Sequence, residues 1–227
     1  MPQNTDDISV IIRNKNEARW IGHAIQSVVD SFVRPEIIIV DNSSADESIQ
    51  IVKHFIHDPL LNKETRKYTD IKILNIKDYT PGRSINLGVQ HSTRNHIMIL
   101  SAHCVLKKIN FKDLSNKSEK YVGIFGNQIP IWNGKKITKR YIWSHFKSEP
   151  VENMYSELEG RFFFHNAVSF FKKKNLIKDP FHDYLLGKED RYWINERAKE
   201  GDKFLYDPNL EVEHHYTSGG NTWIGIG

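Results

Sequence analysis

An apolar run, Ile97-Met98-Ile99-Leu100, stops abruptly at Ser101-Ala102-His103-Cys104. An α/β protein presents its chemistry beyond the carboxyl ends of its strands, which makes His103 a candidate functional imidazole. Neutral imidazole is a competent ligand for Mn2+ and a poor one for Mg2+, which prefers oxygen. The plain alternative is a buried histidine that is merely hydrogen-bonded. Two further imidazoles, His214 and His215, are adjacent, so on extended backbone one would face a site and the other turn away. Glu189 and Asp190 open a helical stretch, where the helix dipole favours carboxylates in any case. Arg83 opens another helix with a charge that opposes the dipole, which leans towards a functional reason. Asn86 lies one turn further on and shares its face.

The elements that must position these residues alternate. Residues 8–12, 36–40, 71–74 and 97–100 read as short, mostly apolar strands. Between them the apolar period becomes helical, with Ile21, Ala24, Ile25, Val28 and Val29 on one face and Ile49, Val52 and Phe55 on the next. Ser44 or Asp46 caps the second helix, and a third spans 83–91. Such strands joined by helical crossovers give a mostly parallel, Rossmann-like sheet covered by helices on both faces. Residues 57–69 are polar and read as a surface loop. Beyond Phe111 the sequence predicts a strand over 121–128, an irregular aromatic stretch over 129–159 and a strand over 161–171. A helix over 188–199 and a strand over 203–206, closed by Asp207-Pro208, complete the pattern.

Composition narrows the function classes. The 227 residues are 39% hydrophobic and 26% charged, enough for a buried core. The net charge of +4 comes from 32 basic and 28 acidic residues that are interspersed. That balance favours anionic ligands weakly and lacks the clustered basic stripe of a nucleic-acid binder. The lone Cys104 excludes an intrachain disulfide and reads as a small core residue. The amino terminus is acidic and polar, unlike a signal peptide, and no apolar run approaches the ~20 residues of a membrane span. A cytoplasmic protein is expected, with peripheral contact at the inner face of a membrane left open.

Four stretches carry a family resemblance in order and spacing across nearly the whole chain. Residues 8–17, Ile-Ser-Val-Ile-Ile-Arg-Asn-Lys-Asn-Glu, resemble the opening strand and Asn-Glu turn of family-2 glycosyltransferases. Residues 37–48 resemble that family's second strand and its Asp-x-Ser-x-Asp-x-Ser turn, and Gly82 to Gly88 its Gly-x-x-x-Asn-x-Gly helix. Gly187 to Trp193 is similar to its Glu-Asp-x-x-Trp motif. The resemblance implies a single GT-A domain over 1–227, with a nucleotide-binding half to about residue 110 and an acceptor-binding half from about 111. It also implies inverting transfer from a UDP or dTDP sugar to a glycan or lipid-linked acceptor, in bacterial surface polysaccharide synthesis.

By the same resemblance, Arg13, Asn16, Glu17, Asp41, Ser43, Arg83, Asn86, Ser101 and Ala102 would surround the nucleotide sugar. Asp41 would accept from a uracil or thymine imide N–H. His103 stands where the family's Asp-x-Asp motif ends, in a Ser-Ala-His-Cys variant, and would hold a divalent metal, Mn2+ before Mg2+. One of His214 and His215 would join it, with His215 preferred. Asp190 would be the general base, with Glu189 the alternative. Asn166, Asp183 and Trp193 would line the acceptor side, Trp193 as an apolar wall. Two rival readings are a nucleotide-sugar-binding pseudoenzyme, because the Asp-x-Asp motif is missing, and a sugar nucleotidyltransferase. The second is weakened by the absence of glycine from Arg13-Asn14-Lys15-Asn16-Glu17.

Overall fold

A computed structural model of the chain describes residues 6–57, 70–220 and 223. From residue 58 onward the expected surface loop lies outside the described residues. The first half runs β1 (Ile8–Asn14), α1 (Ile21–Ser31), β2 (Glu36–Asp41), α2 (Ser48–His57), β3 (Asp70–Asn75), α3 (Pro81–His91) and β4 (His96–Ser101). Next come β5 (Cys104–Lys108), α4 (Phe111–Lys117) and β6 (Ile124–Trp132). The two-residue strands β7 (Lys135–Lys136), β8 (Val151–Glu152), β9 (Tyr155–Ser156) and β10 (Arg161–Phe162) follow, with a 3-10 turn at Tyr141–His145 among them. β11 (Val168–Lys172), α5 (Lys173–Lys178), α6 (Glu189–Lys199) and β12 (Leu205–His215) end the order.

The main sheet is ordered β3-β2-β1-β4-β11-β6-β12-β5. The first four strands are mutually parallel. β11 runs antiparallel to β4 and β6, β12 parallel to β6, and β5 antiparallel to β12. Period-two alternation divides the core into two layers. Ile8, Val10, Ile12, Ile37, Ile39, Met98 and Leu100 pack under α1 and α2. Ile11, Ile38, Val40, Ile97 and Ile99 face the other way, towards α3, α5 and α6. Strands with apolar side chains on both faces must be covered twice, which is what the crossover helices do.

Only two residues separate β4 from β5, yet β11, β6 and β12 stand between them in the sheet. The sheet therefore curls until β5 and the end of β12 return beside the end of β4. His214 pairs with Cys104 in the β12–β5 ladder, and the His215 N–H donates to the His103 carbonyl at 2.9 Å. This closure is what brings distant histidines together.

Three expectations change in detail. The strand expected over 161–171 breaks into β10 and β11. The N–H groups of Asn166 and Ala167 go to the Asp190 carboxylate and the His165 ring instead of a ladder. The last strand does not close at Asp207-Pro208. It runs on to His215 through an irregularity between Asp207 and Glu211, which accommodates a proline that has no N–H to donate. The third helix starts at Pro81, where Thr80 caps it by accepting from the Arg83 N–H.

Candidate active site

A cavity of about 720 Å³ opens over the carboxyl ends of β1 and β4. Its walls come from Arg13 to Glu17, Ser101 to His103, His165 to Ala167, Gly187 to Arg191 and Thr217 to Gly220, with Tyr79 and Pro81 at one side. Four cationic side chains line it, Arg13, Lys15, Lys188 and Arg191, against four carboxylates, Glu17, Glu159, Glu189 and Asp190. The amino end of α6 also belongs to the wall, which adds the favourable potential of a helix terminus for anions.

The acidic pair at the start of α6 is buried, each residue 5% exposed. Glu189 accepts from Arg13 Nη1 at 3.0 Å. Burial first, and the negative charge of Asp190 second, raise the proton affinity of Glu189 above the ordinary carboxylate range, against the opposing pull of Arg13. Burial works against the Arg13 charge, but the combined pull of Tyr79, Glu189 and Asp190 holds its proton more firmly than usual. Asp190 Oδ2 accepts from the Asn166 N–H and from Arg191 Nη1, both at 3.0 Å, and Oδ1 accepts from the Arg191 N–H at 2.8 Å. Asp190 is thus fixed in orientation by three donors.

The histidines form a chain leading inward from the cavity. His103 Nδ1 lies 3.0 Å from Glu17 Oε1, and its Nε2 lies 3.0 Å from His214 Nε2. On the far side, His214 Nδ1 meets Gln128 Oε1 at 2.8 Å, and Gln128 Nε2 meets His165 Nδ1 at 3.0 Å. Glu17 and Gln128 hold the outer nitrogens of the two rings, so both Nε2 atoms converge on one point, where two lone pairs would repel. A cation held between them would take up both lone pairs. Carboxylate-to-histidine contacts of this kind orient metal-ligating imidazoles. Among the described residues there is no group of three or more His, Cys, Asp or Glu arranged to hold a metal ion. His103 and His214 are a two-nitrogen donor set.

Burial, followed by neighbouring positive charge, pushes the proton affinities of His165 and His214 well below the usual histidine value of 6.5. The folded chain refuses protons that the unfolded chain takes up below that pH, so stability present above about pH 6.5 is lost as the pH falls. Urea titrations are expected to show a midpoint that drops through this range, with up to ~1.4 kcal/mol per pH unit for each ring. Replacing one ring, His165→Gln, should remove the share of that slope contributed by its own proton. A slope unchanged in this variant would mean that His165 takes up its proton in the folded state. The Cys104 thiol is pushed up by burial first and by Glu17 second, and stays protonated beneath this site.

Comparison with known proteins decides the family. The sequence profile of glycosyl transferase family 2 matches residues 9–182, over three quarters of the chain. The chain belongs to glycosyl transferase family 2. No curated protein sequence matches it. The GT-A glycosyltransferases among solved structures share its fold. TarS 1-349 of S. aureus, in complex with UDP-GlcNAc, superposes with a TM-score of 0.69 at 16% identity, covering 96% of this chain and 61% of that one. The mannosyltransferase PcManGT from Pyrobaculum calidifontis, in complex with GDP-Man and Mn2+, gives 0.67 at 16% identity, covering 98% and 61%. The chain spans about three fifths of the length of these structures. Glu189, Asp190 and His214 lie beyond the part matched by the family profile.

Within this family-2 chain, the cavity gathers Arg13, Asn16, Glu17, Ser101, Ala102, His103, Asn166, Glu189 and Asp190. Other candidates fall elsewhere. His215 turns to the opposite face of β12 from His214 and stacks on Trp20 at 4.0 Å, so it is His214 that meets His103. Trp193 is 1% exposed in the aromatic core beside Phe171 and Phe181, so it presents no wall to an acceptor. Asp41 does not line the cavity; its carboxylate accepts from Asn14 Nδ2 and from the Ser44 hydroxyl and N–H. Ser43 sits in the adjoining turn with φ 51° and offers its carbonyl to Lys15.

Arg83 donates to the Asp78 carbonyl, which gives its place at the helix start a local reason. Asn86 holds the 181–183 segment by bonds to Phe181 and to Asp183 Oδ1, so Asn86 and Asp183 brace each other instead of facing the cavity. Gly82 permits this brace, since a Cβ there would lie 2.1 Å from the His182 carbonyl oxygen. Sequence reasoning missed Gln128 and Tyr79. Neither stands in a recognisable motif, and only the glutamine's place in a strand spanning 121–128 pointed inward.

Proposed function

We propose that the chain transfers a glycosyl group from a nucleoside-diphosphate sugar to a hydroxyl of a glycan or lipid-linked acceptor, with inversion. The observation that carries this reading is the His103–His214 pair beside a cavity whose lining charges balance. A diphosphate needs surplus positive charge, and four cations matched by four carboxylates leave little. A divalent cation held by His103 and His214 would supply it, offsetting the charge on the leaving diphosphate. Two imidazole nitrogens suit Mn2+ better than Mg2+. The Mn2+ and GDP-Man bound by the mannosyltransferase, and the UDP-GlcNAc bound by TarS, support the same reading.

In the reaction, Asp190 removes the acceptor hydroxyl proton as that oxygen attacks the anomeric carbon. The bond from this carbon to the diphosphate oxygen breaks, and its electron pair leaves with the diphosphate. Arg13 and Lys188 stand at the cavity wall to meet that charge. A UDP or dTDP donor is proposed, and a role in bacterial surface polysaccharide synthesis at the inner face of the membrane fits a lipid-linked acceptor. Among the described residues no helix is long and apolar enough to cross a membrane.

Calorimetry with UDP and GDP, each with and without Mn2+, tests the reading. UDP should bind more tightly with Mn2+, and His103→Ala or His214→Ala should abolish the gain. Binding indifferent to the metal and to both histidines would remove the metal assignment. A preference for GDP would overturn the choice of base.

A further inference from the structure

Gln128 is fully buried and lies behind the cavity wall without contributing to it. Its amide nevertheless connects two of the site's histidines, and one backbone group fixes which way round it sits. The Ala167 N–H donates to His165 Nδ1 at 3.1 Å. A backbone N–H can only donate, so His165 Nδ1 carries no proton and the neutral ring holds its proton on Nε2. The Gln128 atom that faces Nδ1 must then be the amide nitrogen, at 3.0 Å. That turns the amide oxygen towards His214 Nδ1, at 2.8 Å, so this nitrogen carries the proton. His214 Nε2 is left with its lone pair directed at His103 Nε2, 3.0 Å away.

We infer that Gln128 is a positioning residue of this site: its amide passes the tautomer set at His165 by the Ala167 N–H on to His214. The lone pair of His214 Nε2 is thereby kept available to a divalent cation. Glu17 does the equivalent for His103 from the cavity side, at 3.0 Å from Nδ1. The inference rests on the proposed metal role of the two histidines. Its own content, the His214 tautomer, is a property of the metal-free chain.

Two near-isosteric variants separate this role from a structural one. In Gln128→Met the acceptor for His214 Nδ1 is lost. In Gln128→Glu a carboxyl oxygen still accepts from it. Nitrogen-15 NMR of histidine-labelled, metal-free chain should show His214 protonated at Nδ1 in the wild type and in Gln128→Glu, and released towards the Nε2 form in Gln128→Met. Mn2+ affinity, read by electron paramagnetic resonance with the metal alone, should weaken about 10- to 100-fold in Gln128→Met and return to within a few-fold of wild type in Gln128→Glu. Thermal melts check that both variants fold. A Gln128→Met variant that keeps the Nδ1 proton on His214 would overturn the inference, and so would equal weakening of Mn2+ by both variants. If Mn2+ affinity in His103→Ala and His214→Ala equals that of wild type, the metal reading fails instead, and the NMR result still decides the role of Gln128.

Discussion

Asp190→Asn is expected to bind UDP as tightly as wild type and to lose about 10²- to 10⁴-fold in kcat, the usual contribution of a general base. The reason lies in how the two carboxylates at the start of α6 are held. Three N–H donors fix the orientation of Asp190, which lines the cavity. Glu189 beside it is buried, with its own proton affinity raised partly by the charge of Asp190. Arg13 neutralises Glu189 and lets both carboxylates stay buried. Asparagine preserves shape and cannot take the proton. Glu189→Gln, which retains a polar partner for Arg13, should cost less. Turnover followed as UDP release from UDP-sugars, alongside calorimetry, decides the matter. The opposite ranking of the two variants would transfer the base role to Glu189.

Trp193→Ala is expected to destabilise the fold by about 3–5 kcal/mol, the range for emptying a large aromatic site in a core. The ring fills the space between Phe181, Phe171 and Phe164, and its Nε1–H donates to the Asp179 carbonyl at 2.6 Å. A loss of that size is a large share of a typical domain's stability. Trp193→Phe gives a measurement that survives if the alanine variant fails to fold. It keeps most of the apolar volume and loses the hydrogen bond, at about 1 kcal/mol. Urea unfolding reads both. Acceptor KM should not move in Trp193→Phe; a raised KM with unchanged stability would return the residue to the acceptor site.

These two residues also show how far a linear reading reaches. Glu189-Asp190 and Trp193 stand in one motif, and its resemblance to the family pattern gave all three a role. The acidic pair does reach the cavity, because it opens the helix whose amino end forms the wall. Trp193, one turn on, shares their side of the helix but lies deeper, enclosed by Phe164, Phe171 and Phe181. The motif sets these residues on one side of the helix, and depth along its axis decides which of them reach the cavity. Asn86 tells a similar story: its spacing placed it on a face shared with Arg83, but it holds the 181–183 segment against α3 with Asp183 as partner, while Arg83 donates to the Asp78 carbonyl.

By itself the sequence determined the parallel front of the sheet, its covering helices and the residues at the ends of β1 and β4. All of these follow from local periodicity, in which neighbours a few residues apart report on the same face. It also determined that His103 would lie at the carboxyl edge. Only the tertiary structure decided what His103 meets. Its partner comes from 111 residues away. Choosing His214 over His215 requires the curl that carries β5 and β12 back to the end of β4. No local pattern encodes that closure, since it arises from long-range pairing of antiparallel strands with the parallel half. The proton position on His214 depends in turn on Gln128 and on one backbone N–H at Ala167, which meet only when the sheet has closed.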